Sequence, residues 1–205
     1  MTATCKSRLP TYAIVVFTVA MCPAAAEAHL NSTGMGPVYD GLMHFLTSAE
    51  DVVPVLALAL LAGLRGATYG RRALFVLPTA WLVGGLAGLA ATTANSSGVL
   101  TAITFLLLGG LVATDAKLSL RATTALAAFV GLYHGYLNGA GMGQPGIASV
   151  ALLGLVFAVF IVVALGAALV VQLQAAWARI AVRVAGSWIV ASGLLMLGWS
   201  LRGKL

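Results

Sequence analysis

The sequence predicts an all-α membrane protein, a polytopic bundle of about six transmembrane helices behind a cleaved signal peptide. Hydrophobic residues make up 61% of the 205 residues and charged residues only 8%, with a mean hydropathy of +1.04. Soluble domains carry about 25% charged residues, so this chain has too little charge to build a water-facing surface. Its few basic residues lie in short segments between apolar runs, which is how membrane topology is encoded.

The same composition excludes several classes of function. The net charge of +6 is spread along the chain, so no nucleic-acid-binding stripe is expected. The sequence has no Walker loop, no dinucleotide-binding glycine fingerprint and no Ser–His–Asp set that could act at a membrane surface. We therefore expect neither an enzyme nor an organic cofactor, and we expect the lipid bilayer to surround the chain.

Residues 1–28 have the parts of a secretory signal: a basic start, an apolar core over residues 12–22, and small residues up to Ala28. The core is shorter than the roughly 18 residues that a spanning helix needs. We therefore expect cleavage after Ala28, which leaves residues 29–205 as the transmembrane domain. Both cysteines lie in the removed part, so no Cys-based metal site is expected.

Cleavage there would place His29 at the mature N-terminus. A terminal histidine offers its amine and its imidazole together, a nitrogen chelate that suits copper or nickel. The alternative is that His29 simply follows a processing site.

Six apolar segments follow, each a candidate transmembrane helix. The first is short and could extend backwards through residues 39–46, with a break near Thr47 and Ser48. The six segments cover residues 51–64, 73–93, 98–114, 122–137, 146–173 and 180–201.

Glycines four residues apart predict close packing between helices of the same chain rather than a dimer face. They are Gly84, Gly88, Gly131, Gly135 and Gly139.

Charge placement predicts the orientation of the chain in a bacterial inner membrane. With the mature N-terminus on the outer, periplasmic side, the loops that fall inside hold seven of the basic residues. The loops that fall outside hold none, and two basic residues follow at the C-terminus. The positive-inside rule therefore favours this orientation.

Ionisable residues in or beside spans are costly, so each is a candidate functional residue. Asp40 and His44 are four residues apart, which places them on one face of a helix. They could share a divalent cation, or the carboxylate could only orient the imidazole.

Glu50 and Asp51 lie at the start of the first span. As metal ligands they would sit beside the carbonyl of Glu50, which Pro54 leaves without its helical partner. The alternative is a capping box, with Ser48 as the N-cap and Asp51 reaching back to it. The sequence leaves both hypotheses open.

His134 lies near the outer end of the fourth span, with glycines on both sides. A histidine in a bilayer needs a partner or water, so it would either bind the ion or make an interhelical hydrogen bond. Asn138 lies one turn further on the same face, and with Tyr133 it would line the pathway or hold the ligands.

At these residues the sequence resembles the HupE/UreJ family of nickel and cobalt permeases. His44, five further residues and then Glu50-Asp51 are similar to the family's motif of His, five residues and Asp-His. The Tyr-His-Gly-Tyr stretch at residues 133–136 is similar to its Phe-His-Gly motif. The resemblance covers the layout of the mature chain and implies about six spans and metal transport.

The sequence departs from the family pattern at three places. Val52 replaces the histidine of the first motif, and Asn138 and Ala140 stand near the places of a histidine and a glutamate after the second. Fewer imidazoles make a site poorer in nitrogen, so another divalent metal, copper, or a loss of transport stays open besides nickel and cobalt.

The resemblance implies a metal permease, and the hypothesis is that it captures a divalent ion at the outer face and passes it into the bundle. Two alternatives stay open: an accessory subunit held by a membrane-protein partner or a second copy, and an outer-face copper-binding protein. The expected metal ligands are His29, Asp40, His44, Glu50, Asp51 and His134.

Overall fold

A computed structural model describes residues 33–91, 98–142, 145–173 and 175–202. The predicted signal peptide and His29 lie outside these residues. Within them the chain folds into seven α-helices and no strand. The helices are α1 (Pro37–Thr47), α2 (Ala49–Arg65), α3 (Ala67–Leu89), α4 (Gly98–Ala113), α5 (Leu120–Gly141), α6 (Pro145–Gln172) and α7 (Ala176–Arg202).

The helical membrane bundle that the sequence predicts is confirmed, and six of the helices lie at the predicted apolar segments. Three of them, α3, α6 and α7, are long and apolar enough to cross a membrane, and α1 with α2 adds a fourth if that pair is one span. At 16 residues α4 is shorter than the about 20 that an untilted span needs. The number of six spans therefore stays a prediction.

The break that the sequence predicts near Thr47 and Ser48 is also present. The chain turns by 74° between α1 and α2, and Ser48 has an extended backbone there. Ser48 makes no side-chain capping bond, and only its carbonyl accepts from the Asp51 and Val52 amides. The capping-box hypothesis is therefore wrong, because the Asp51 side chain points instead to partners on α5.

The second helix forms the centre of the bundle. Eleven of the 17 residues of α2 are buried, and it packs against α3, α4 and α6. Around it α3 packs along α5, α1 along α6, and α4 along α7. A polar residue at the N-terminal end of α2 is thus held inside the bundle rather than at its surface.

The glycine seam predicted within the chain joins α3 to α5. A Cβ atom at Gly84 would lie 2.3 Å from the Leu132 carbonyl oxygen, and one at Gly139 would lie 2.0 Å from that of Gly85. Such distances leave no room for a side chain, so glycine lets the two backbones touch. The seam is intramolecular, as the sequence predicts.

At the other end of α2, Arg65 and Arg179 both bind the carboxylate of Asp115, the latter at 3.0 Å. Asp115 has a left-handed backbone, with φ 50°, and lies two residues after the end of α4. The sequence suggests a solvated loop acid here. The structure shows instead a carboxylate that ties α2, α4 and α7 together, so α2 has polar anchors at both ends.

Candidate metal site

A chain of polar side chains links α1 to α5 and α5 to α2 inside the bundle. The Asp51 carboxylate oxygen Oδ1 lies 3.2 Å from Nδ1 of His134 and 3.0 Å from Nδ2 of Asn138. Nε2 of His44 lies 3.2 Å from Oδ1 of Asn138. Asp51, His134 and Asn138 are all buried, and His44 is half-buried.

The orientation of the Asn138 amide follows from its partners. Its two N–H groups donate to the Asp51 carboxylate and, at 2.9 Å, to the carbonyl of His134 one turn earlier. Both of these partners only accept, so the amide oxygen must face His44. Nε2 of His44 therefore donates to that oxygen.

Neighbouring side chains hold the His134 ring in place, one by stacking on its face and two by contacts at its edge. It is 1% exposed, and the indole of Trp81 stacks on it with ring centroids 5.7 Å apart and an interplanar angle of 26°. The ring of Tyr133 meets it edge-on at 5.2 Å. The hydroxyl oxygen of Thr104 on α4 lies 3.3 Å from its Nε2. An imidazole held this tightly presents its Nδ1 atom in one direction, toward Asp51.

The separation of His134 Nδ1 and Asp51 Oδ1 suits two ligands of one ion. Two donors at about 2.1 Å from a metal lie about 3.0 Å apart at a right angle and about 3.4 Å apart at the tetrahedral angle. The observed 3.2 Å falls between these values. The pair makes an interhelical hydrogen-bond contact as it stands, and the same separation would also accommodate a transition-metal ion between the two atoms.

The other predicted ligands lie apart from this pair. Glu50 is exposed, and the Asp40 carboxylate accepts from the amide and hydroxyl of Thr33 at 2.6 and 2.7 Å. Tyr133 contributes only its ring, since its buried hydroxyl has no partner among the described residues. In the described part of the chain, no three His, Cys, Asp or Glu side chains come close enough to hold a metal together.

Comparison with known proteins identifies the family. The family model described as HupE / UreJ protein matches residues 16–196, most of the chain. The chain belongs to the HupE/UreJ family. Protein HupE of Rhizobium leguminosarum bv. viciae is 24% identical over 179 residues, which cover 85% of this chain and 91% of that protein. No solved structure matches the chain.

The HupE/UreJ family is associated with nickel and cobalt transport, and its members are transporters rather than enzymes. Both stretches that carry the resemblance, around His44 to Asp51 and around His134, meet in the polar chain described above. The sequence analysis thus selected four residues that the fold brings together: His44, Asp51, His134 and Asn138. It did not distinguish Glu50 from Asp51, of which only Asp51 is buried.

Two contacts of the site were missed by sequence reasoning. Trp81 lies in an apolar run with no local signal of a role. Thr104 had a weak one, because Thr101 and Thr104 are three residues apart and put two buried hydroxyl-bearing side chains on one face of an otherwise apolar helix.

Proposed function

We propose that this protein is an inner-membrane permease that takes up a divalent transition-metal ion, nickel or cobalt, from the outer face. The observation that carries the proposal is the buried pair of His134 and Asp51, with their donor atoms 3.2 Å apart. Ionisable side chains inside a membrane bundle are costly, and they mark ion pathways and proton relays. Family membership supports the same reading.

The donors of the site favour these ions. The imidazole nitrogens of His44 and His134 and the oxygens of Asp51 and Asn138 are ligands that divalent nickel and cobalt accept, whereas Cu(I) prefers sulfur. Within the described residues, only His134 and Asp51 among the proposed ligands bring ionisable donors this close together, so the site lacks the ligand number of a tight structural site. A weakly completed site suits an ion that must also leave.

The path of the ion follows the burial of the donors. His44 is half-buried and His134 is fully buried. Asn138 lies between them and bonds to His44 on one side and to Asp51 on the other. In this proposal His44 receives the ion, and the pair of Asp51 and His134 holds it within the bundle. The periplasmic orientation of the mature N-terminus belongs to the same proposal, and His29 and Asp40 would at most collect ions at the surface.

The neighbouring acids Glu50 and Asp51 allow a controlled test of this function, because only Asp51 is buried in the site. We expect Asp51→Asn to lower nickel uptake by cells at least about tenfold, because it removes a charged oxygen donor from the buried pair. Glu50→Gln is the matched control, since it makes the same change at an exposed neighbour. Uptake of radioactive nickel, normalised to the amount of protein in the membrane, measures both.

Equal uptake by the two variants would contradict the proposal. If Asp51→Asn instead lowers the amount of protein in the membrane while transport per molecule is unchanged, the accessory-subunit alternative gains support. Copper binding that is lost when cleavage after Ala28 is blocked, with no uptake of metal by cells, would favour the outer-face copper site at His29.

A further inference from the structure

A groove on the outside of the bundle lies between α3 and α6, and its volume is about 250 Å³. Gly70 of α3 faces Ala167 of α6, and Gly85 faces Leu152. The helices therefore run antiparallel, so the start of α3 lies beside the end of α6. At the floor of the groove, a Cβ atom at Gly70 would lie 3.2 Å from that of Ala167. The helices touch at this floor, and small side chains on both of them leave the space above it open.

The groove has an apolar body and a polar end. Glycine, alanine, valine and leucine form most of its lining, and of the residues that line it only Arg71 and Gln172 have polar side chains. Gln172 is the last residue of α6, Arg71 lies in the second turn of α3, and both are exposed. Helical side chains lean toward the N-terminus of their helix, which directs the long Arg71 side chain toward the end where Gln172 lies.

The positive charge of Arg71 has no partner among the described residues. Its end of the bundle holds one described acid, Asp115, and that carboxylate already binds Arg65 and Arg179. The other described acids lie within residues 40–51, in α1 or at the start of α2. This end of the bundle therefore has an excess of positive charge. Basic pockets between transmembrane helices bind the head groups of anionic lipids.

The surroundings of the groove favour a lipid over other occupants. Lipid tails rather than water cover the outside of a membrane bundle, so hydrocarbon fills a groove in it. A methylene group takes about the room of a water molecule, about 30 Å³, so the groove has room for a stretch of several methylene groups. A soluble anion would leave the apolar body empty. A second copy of the chain would bring further arginines to an end that already has too many.

We propose that this groove binds one anionic phospholipid, with an acyl chain along Gly70 and Ala168 and the phosphate at Arg71. The site is separate from the candidate metal site, and the inference does not depend on the transported ion. In the proposed orientation the lipid belongs to the inner leaflet. It would fasten α3 to α6, and both of these helices pack against α2. We therefore expect the bound lipid to stabilise the whole bundle.

Two pairs of variants test the polar end and the apolar body of the groove. Arg71→Gln removes the charge, and Arg72→Gln makes the same change at an exposed neighbour that does not line the groove. Ala168→Leu fills the groove, and Ala181→Leu makes the same change at an exposed position on α7. The purified protein in detergent is titrated with dioleoyl phosphatidylglycerol or dioleoyl phosphatidylcholine. Native mass spectrometry counts the bound lipids, and tryptophan fluorescence follows thermal unfolding.

We expect the wild type to retain one phosphatidylglycerol, bound at least about fivefold more tightly than phosphatidylcholine, which is the factor that one arginine supplies near a membrane surface. Arg71→Gln should lose this preference, and Ala168→Leu should lose the retained lipid. Arg72→Gln and Ala181→Leu should behave as the wild type. Phosphatidylglycerol should raise the unfolding temperature of the wild type and of these two controls only.

Equal binding of the two lipids by the wild type overturns the inference, and so does unchanged lipid binding in Ala168→Leu. Equal losses in Arg71→Gln and Arg72→Gln also contradict it, because the basic end would then attract anionic lipid without the groove. If inorganic phosphate raises the unfolding temperature as much as phosphatidylglycerol does, the site takes a free anion. A doubled mass without bound lipid would show an interface between copies, and either result rejects the lipid site. Arg71 and Ala168 are both exposed, so the unfolding temperatures without added lipid should match that of the wild type.

Discussion

Alanine at His134 should reduce nickel uptake to the background of cells without the protein. The substitution removes the imidazole from the buried pair and leaves the Asn138 amide as the one bonded partner of the Asp51 carboxylate among the described side chains. Metal affinity should fall by more than the roughly 10–100-fold seen when only a supporting hydrogen bond is lost. Uptake of radioactive nickel and calorimetry on the purified protein measure the two effects.

Tyr133→Phe is the control for that substitution. It alters the residue next to His134 and keeps the aromatic ring, while the hydroxyl it removes is buried without a described partner. We expect uptake close to that of the wild type. If Tyr133→Phe and His134→Ala lose uptake together, Tyr133 takes part in the pathway, and the narrow assignment to His134 and Asp51 is wrong.

The second large predicted effect is a loss of stability when the close packing of α3 against α5 is disturbed. Gly139→Ala should destabilise the protein by about 1–3 kcal/mol or more, because its Cβ atom would lie 2.0 Å from the backbone oxygen of Gly85 and would push α5 away from α3. The shift would also move His134 against Trp81, so metal binding should weaken with stability. Thermal unfolding in detergent, followed by tryptophan fluorescence, measures the loss.

Gly141→Ala is the matched control, two residues further along the same helix. A Cβ atom at Gly141 meets nothing within 4 Å among the described residues, so the substitution should leave the unfolding temperature unchanged. Equal unfolding temperatures for the Gly139 and Gly141 variants would show that the two helices do not touch at the seam.

The sequence predicted the helices well because apolar run length and glycine spacing are local properties. It also found the break before α2, since Ser48 stands between two apolar runs and near Pro54. The choice between Glu50 and Asp51 could not be made in the same way. Which of the two neighbours faces α5 depends on how α2 is rotated within the bundle, and its packing against α3, α4 and α6 is not encoded in the local sequence.

Contacts between distant segments explain the rest of what the sequence missed. Thr104 on α4 and Trp81 on α3 contact the His134 ring only because the fold brings these helices close to it. In the sequence, neither residue stands out from the apolar residues around it. Asp115 seemed a loop acid because Arg65 and Arg179 are 50 and 64 residues away in the chain. Such partners are set by tertiary packing and leave no local pattern.

The contacts of Asn138 explain why an asparagine can stand where the family pattern has a histidine. Asn138 stands near the place where the resemblance implies a histidine, and its amide uses both N–H groups and its oxygen to join Asp51, His134 and His44. An imidazole there could not make all three bonds. The site thus exchanges one nitrogen donor for a fixed link between its two remaining histidines.

The most direct test of the central claim is X-ray absorption spectroscopy at the nickel K edge, on the purified, nickel-loaded protein and on His134→Ala. The account predicts only nitrogen and oxygen neighbours at about 2.1 Å in the wild type, with imidazole scattering that falls when His134 is replaced. Sulfur neighbours, or imidazole scattering of equal strength in His134→Ala, would contradict the assignment of the ion to His134 and Asp51.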